Sequence, residues 1–346
     1  MVLSTMNIPQ SAYRALHQAI LHHLFDPNVS LIDLGLRIRD TQAQRIEEEF
    51  CVRVHVRKKL YAENFDAFAR RYPQRVIDAK RIGFSIDVPE ANYRTQQWSW
   101  GSWRSTTPVS PRGCVFNPMQ GGISISNALK YGYGTLGGKV IDRKTGAEMI
   151  LSNWHVLVGS WYAWPGLAIY QPGQGDGGGP EHIVAHLTRH AMDQFIDAAV
   201  AELTGTRPLI NDQLDLGPVA GVSTPMLGQR VIKSSRRTGV TTGIVTGIEG
   251  RQAMYYSGVR QVIRHVVHIA QTSEGGQVSA GGDSGAWWLE EASRHAVGLH
   301  FAGSDVPEYG LAIAMPQVLD TLNVDIAREV EPVRASVLRP MEPVRG

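Results

Sequence analysis

Residues 281–285 read Gly-Gly-Asp-Ser-Gly. Flanking glycines permit a tight turn with exposed backbone, and such a turn can aim the amide N–H groups of Gly282 and Ser284 at one point, as an oxyanion hole requires. A serine hydroxyl is a poor nucleophile at neutral pH, so it needs an adjacent base to take its proton and a third group to orient that base. Gly, Asp and Ser are also common turn residues. The meaning of the pentapeptide therefore depends on whether the rest of the chain supplies the two partners.

Upstream, residues 150–156 read Ile-Leu-Ser-Asn-Trp-His-Val, an apolar strand ending at His155. Between the two lies Asp197, which opens Asp-Ala-Ala-Val-Ala after Phe195 and Ile196. An acid entering an apolar run is costly to bury unless it is hydrogen-bonded, and the Nδ1–H of a histidine is a suitable donor. Asp193 is a rival acid, but Gln194 rather than an apolar run follows it, so Asp197 is preferred. The three candidates occur in the order His, Asp, Ser, separated by 42 and 87 residues. An α/β-hydrolase elbow is excluded, because Ala286 stands where Gly-x-Ser-x-Gly needs its last glycine and the chain order differs. His22-His23 and the pair His265 and His268 lack further ligands at metal-binding spacing, and no Lys-Ser/Thr follows the glycine-rich stretch 173–179 to make a phosphate cradle. Neither a metal nor a cofactor is expected.

From Gly113 to about residue 316 the chain is a series of short β-like runs separated by glycine-rich turns, which indicates a sandwich or a barrel. Before it the texture is mixed. Leu16, Ile20 and Leu24 align on one face of a helix over 11–25, and 62–71 also reads as helix. Alternation predicts half-buried strands over 32–38, 52–56 and 82–88. The expected organisation is a small α/β domain over 1–95, a Trp- and Pro-rich connector over 96–112 holding Trp98, Trp100 and Trp103, a main domain over 113–325 and a frayed tail over 326–346.

The segments LSNWHV (151–156), DAAVA (197–201) and GGDSG (281–285) resemble the three signature segments of the trypsin/chymotrypsin-like serine peptidases. The resemblance covers about 113–325. It implies a mainly β fold, the chymotrypsin-like double six-stranded β-barrel, here with a small N-terminal mixed α/β domain. It also implies a serine endopeptidase working through a His155-Asp197-Ser284 triad and an acyl-enzyme, with protein or peptide substrates. GTLGGKV (134–140), the run at 171–178 and RRTGVTTGIVTG (236–247) are similar to bacterial, disulfide-free members, which often carry a small α/β segment ahead of the peptidase domain. The strand 296–304 resembles the pocket strand of glutamyl endopeptidases, which implies that His300 and Ser279 contact an acidic substrate side chain. The competing reading is a pocket for small or apolar residues bounded by Val278 and Gly303; a trypsin-like preference is disfavoured because Val278 replaces the acid at the pocket base. Two departures stand out. Ala286-Trp287-Trp288 follows the motif in place of the frequent Gly-Pro, and no Ile-Val-Gly-Gly start exists to give Asp283 a new N-terminal amine.

A composition of 43% hydrophobic and 19% charged residues with a net charge of +2 excludes global disorder and any strong overall field. Nucleic acid is not an expected partner, and the one basic cluster, Lys233–Arg237, reads as solvated surface. Cys51 and Cys114 fall in different regions and suggest no disulfide. No apolar stretch reaches the roughly 18 residues a membrane span needs, and MVLSTMNIPQ lacks a basic-then-apolar leader pattern, so no membrane association and cytoplasmic residence are expected. Two other functions stay open: a scaffold that keeps the fold without turnover, and an inhibitory or folding role for residues 1–95. Oligomeric state is not legible.

Overall fold

The computed structural model describes residues 8–40, 45–60, 62–95, 98–99, 110–272 and 276–327. The tail beyond 327, Trp100, Trp103 and the side chain of Trp98 lie outside the described residues.

The chain opens with helix α1 (Gln10–His23), strands β1 (Val29–Asp40) and β2 (Arg45–Val56), helices α2 (Ala62–Arg71) and α3 (Ala79–Ile82), and short strands β3 (Ile86–Asp87), β4 (Arg94–Thr95) and β5 (Trp98–Ser99). The strand expected over 82–88 is mostly absent. Ile82 closes α3, and Gly83, at φ +77°, turns the chain in the left-handed region that ends the helix, leaving only β3 extended. The period-2 spacing of Ile82, Phe84, Ile86 and Val88 thus spans a helix end and a turn. In β2 the valines at 52, 54 and 56 pack with Ala12, Leu16 and Ala19 of α1, as the alternation predicts. The opposite face is not solvated, however: Arg53 and His55 are fully buried. Arg53 forms a two-pronged ion pair with Asp33 of β1, one arm at 2.8 Å, which makes that burial tolerable.

Two barrels follow a three-residue strand β6 (Met119–Gly121). The first uses β7 (Ser124–Asn127), β8 (Gly132–Thr135), β9 (Gly138–Asp142), β10 (Glu148–Ser152), β11 (Ala168–Tyr170), β12 (Ile183–His190) and β13 (Ala199–Leu203), with the one-turn helix α4 (Trp154–Leu157) after β10. Only Leu136 and Gly137 separate β8 from β9, so these two act as one broken strand and the ring β9-β10-β13-β12-β11-β7-β8 has six members. Short strands β14 (Leu209–Gln213), β15 (Gly217–Pro218) and β16 (Gly221–Val222) lead across. The second barrel comprises β17 (Arg230–Ser235), β18 (Gly239–Tyr256), β19 (Val259–Ala270), β20 (Trp287–Glu290), β21 (His295–Asp305) and β22 (Glu308–Ala314), ordered β17-β20-β21-β22-β19-β18 and closed by β17 pairing with β18. Helix α5 (Met315–Leu322) and β23 (Val324–Ile326) return the chain to the first barrel, where β23 pairs with β9.

The N-terminal strands do not form a sheet of their own. β1 pairs antiparallel with β18, Gly35 opposite Gly247, so β1, β2 and β3 extend the second barrel's sheet outward. A Cβ at Gly247 would run into Arg53 and Asp33, and one at Gly35 into Arg53 and the Thr246 carbonyl. These glycines let the buried ion pair sit between the strands.

Candidate active site

β10 delivers the chain to Asn153, and the single turn of α4 directs His155 toward Asp197, which lies just before β13 on the neighbouring strand. His155 Nδ1 is 2.6 Å from Asp197 Oδ2, and the His155 amide donates to Oδ1 at 3.1 Å. A third donor comes from the second barrel: the Tyr256 hydroxyl, at the tip of the β18–β19 hairpin, donates to Oδ2 at 3.0 Å. Asn153 Nδ2 holds the Asp197 backbone carbonyl at 2.8 Å. Asp197 is fully buried, and three donors on its carboxylate make that burial affordable. Burial and the adjacent carboxylate push the Tyr256 phenol well above its ordinary range, so it stays a donor. With Nδ1–H committed to Asp197, the proton-accepting position of a neutral His155 is Nε2, which has no hydrogen-bond partner among the described residues. The rival Asp193 is largely exposed and 3.8 Å from His190.

Ser284 is fully buried in the turn between Ala280 and Trp287. Gly282 at φ +112° and Gly285 at φ +100° both require glycine. A Cβ on Gly282 would meet the Tyr133 ring, and one on Gly285 the Ser152 hydroxyl and Thr135 carbonyl. No described residue accepts a hydrogen bond from the Gly282 or Ser284 amide. Ser284 Oγ donates to the Phe301 carbonyl at 3.2 Å rather than to His155. His155 and Asp197 stand on the first barrel and Ser284 on the second, with the serine hydroxyl turned toward β21.

Asp283 is not left without a cation. Lys233 Nζ lies 3.0 Å from its Oδ2, the Thr238 hydroxyl donates at 2.7 Å, and the amides of Arg237, Thr238 and Ala280 donate at 3.0–3.1 Å. Burial alone would raise the Asp283 carboxyl; the Lys233 ammonium overrides this and holds it down at about 2. This corrects the reading of Lys233–Arg237 as solvated surface. Lys233 is fully buried, hydrogen-bonded to Ser235 and Thr238 and set 5.3 Å from the Trp288 ring centroid, while Arg236 pairs with Asp176. The Asp283 left without an N-terminal amine was the available signal for an internal cation.

Val278, Ser279 and His300 are buried beside the same turn, and Gly303 lies three residues along β21 from His300. Trp288 Nε1 donates to His300 Nδ1 at 3.2 Å, which puts the ring hydrogen on Nε2. Burial, with Lys233 adding to it, pushes His300 down to about 3, so the ring is neutral. Ser279 Oγ is buried with no partner among the described residues. Glu308 accepts the amides of Val278 and Ser279 at 2.9 and 3.0 Å, bracing the wall from β22. Sequence reasoning missed the roles of Tyr256, Lys233, Trp288 and Glu308; only two had a sign in the sequence, Lys233 a distant one in the unpaired Asp283 and Trp288 a local one in the departure after the Ser284 motif.

Among the described residues no group of three or more potential ligands could hold a metal ion, and no helix is long and apolar enough to cross a membrane. No protein-family profile matches the chain, and no curated protein matches it in sequence. Solved structures do match. A chymotrypsin of Cellulomonas bogoriensis is 16% identical, with 61% of this chain and 99% of that one covered and a TM-score of 0.43. The Nocardiopsis protease NAPase gives 18%, 61%, 99% and 0.46. A glutamic-acid-specific serine protease, described as using a histidine triad in substrate binding, gives 20%, 60%, 100% and 0.46. With two six-stranded barrels, His155 and Asp197 on the first and Ser284 on the second, the chain has the trypsin/chymotrypsin-like serine peptidase fold.

Proposed function

We propose that the protein is a serine endopeptidase in which Ser284 is the nucleophile, His155 the general base and Asp197 the group that orients it. The observation that carries the reading is the His155–Asp197 bond of 2.6 Å, which commits Nδ1 and leaves Nε2 as the accepting nitrogen. In the reaction a rotation of the Ser284 side chain away from the Phe301 carbonyl brings Oγ to Nε2. His155 then takes the proton as Oγ attacks the scissile carbonyl, and the Asp197 carboxylate stabilises the imidazolium. The amides of Gly282 and Ser284 receive the oxyanion. His155 returns the proton to the leaving amine, and water repeats the sequence on the ester. Lys233 acts at one remove, by holding Asp283 and with it the turn that presents both amides. A fluorophosphonate probe tests the reading: it should label the wild-type chain on Ser284 and leave Ser284→Ala unlabelled. A chain that never labels, in any buffer and with the fold intact, would favour a scaffold without turnover.

For specificity we propose cleavage after Glu or Asp, with the Nε2–H of a neutral His300 and the unpartnered Ser279 hydroxyl as donors to the side chain. Glu308, on the same wall, favours a second reading, an uncharged amide side chain in that position. Paired peptides differing only as Glu or Gln before the cut decide between them, and a dominant Arg, Lys or Leu preference would sink both. We also read the protein as cytoplasmic, on the strength of two free cysteines, Cys51 buried and Cys114 exposed.

A further inference from the structure

One edge of β21 is shared. β20 pairs along its first part, Trp287 opposite Leu299 and Trp288 opposite Gly298. The turn that carries Ser284 then closes on it, with the Gly285 amide donating to the His300 carbonyl at 2.9 Å and Ser284 Oγ donating to Phe301. Beyond that turn the same edge is taken by β4, antiparallel, Thr95 opposite Ala302 and Arg94 opposite Gly303. On the other side of the nucleophile turn lies β8, whose Thr135 amide donates to the Ser284 carbonyl at 2.7 Å and whose Thr135 hydroxyl donates to the Gly282 carbonyl at 2.9 Å. The edge of β8 away from β7 is taken by β5, with Trp98 opposite Tyr133 and Ser99 opposite Gly132. Within six residues the chain therefore passes from an edge of the second barrel to an edge of the first, and both edges flank Ser284. An extended peptide awaiting cleavage would bind by adding a strand to these two edges, since main-chain pairing beside the nucleophile sets the scissile carbonyl against it.

We propose that β4 and β5 form an intramolecular strap that fills the substrate's strand positions, so that the intact chain inhibits its own active site. The inference rests on the serine peptidase reading above. The strap is tethered just ahead of β4: Tyr93 is buried, its hydroxyl shared by His55 Nδ1 at 2.8 Å and His268 Nε2 at 3.0 Å, and the Ala91 amide and carbonyl are held by the Val56 carbonyl and the Ser30 hydroxyl. Its own hold is light. Arg94 is exposed, and a cavity of about 590 Å³ flanks β4 between Arg94, Thr95, Gly281, Gly303 and Asp305. Backbone pairing rather than side-chain burial keeps β4 in place, which suits a segment that substrate displaces. The fully buried Ser284 and the buried Nε2 of His155 are what an occupied groove entails.

The test compares fluorophosphonate labelling rates of the full-length wild type, of Arg94→Pro/Thr95→Pro, which removes the two β4 amides, and of Arg94→Ala/Thr95→Ala, which keeps them. The proline variant should label at least tenfold faster than wild type and the alanine variant within about twofold of it. Equal rates for wild type and a folded proline variant would overturn the strap while leaving the peptidase reading intact. Failure of all three folded chains to label would overturn the peptidase reading itself. Amide exchange on the wild type, with and without a bound peptidyl aldehyde, works even if the proline variant does not fold. Faster exchange at Arg94 and Thr95 on binding supports the strap, and unchanged exchange with the aldehyde bound overturns it.

Discussion

Two buried clusters in this protein use the same three residue types to opposite ends. At the seam between the N-terminal strands and the second barrel, Asp33 meets His55 at 3.4 Å, and Tyr93 bridges His55 to His268. In the cleft, Asp197 meets His155 at 2.6 Å and Tyr256 at 3.0 Å. The difference is the cation. Arg53 sits on Asp33 permanently, holding its carboxyl far below the usual range despite burial, so the acid has no use for a charged histidine, and burial keeps His55 and His268 neutral. Among the described residues hydrogen-bonded to Asp197 there is no arginine or lysine, and of these partners only His155 can become positive. A cluster with its charge already balanced is a rivet; one whose charge waits on proton transfer is, under the proposed function, the catalyst.

That contrast can be broken at either end. Asp197→Asn should lower kcat/KM by about 10⁴-fold, because the amide favours the wrong histidine tautomer, while the melting temperature moves little; steady-state assay and calorimetry together check this. Asp33→Asn should do the reverse. Leaving Arg53 buried without its partner costs about 3–5 kcal/mol of stability in denaturant titration, with kcat of the folded fraction unchanged. Tyr256→Phe removes one hydrogen bond to a carboxylate, worth about 1.5–3 kcal/mol, and should lower kcat about tenfold or more with KM nearly constant. A loss confined to stability would show that the phenol only packs.

The smallest expected effect is on pH. His55 and His268, facing Asp33, Arg53, Tyr93, Thr246 and Tyr309, have folded-state values below the ordinary 6.5, so the unfolded chain binds more protons. Stability should be fully present above that value and fall as pH drops through it toward the folded values. Asp33 and Asp283, with lowered values, add a further loss only below about 4. Melting curves from pH 7.5 to 3.5 should show two successive declines, the first reduced in His268→Gln.

What was legible in the sequence was legible because it is local. His155 and Ser284 stand in short motifs whose neighbours serve the same turn or strand, and Asp197 was separable from Asp193 by the apolar run that follows it. The rhythm of short strands and glycines indicated a sandwich or a barrel, and the resemblance of the three motif segments implied the double barrel. Tyr256 was not legible, because its 59-residue separation from Asp197 is bridged only by the docking of one barrel's hairpin on the other. Lys233 was misread for a related reason: a lysine in a strand looks solvated until the acid it neutralises, 50 residues on, is folded against it. The strand over 82–88 failed because period-2 spacing across four apolar residues is too short a pattern to detect a helix end and a left-handed glycine.

The β18–β19 hairpin ties these regions together. Its outer strand carries β1 along one flank, and its tip carries the phenol that touches Asp197. Removing the N-terminal segment would strip a covering strand from β18 and bare a row of amides and carbonyls at Gly247, Ile248 and Arg251. Such an uncapped border is adhesive. A proteolytically trimmed chain would thus face a colloidal hazard, unless the severed piece stays zipped to the border as a non-covalent companion.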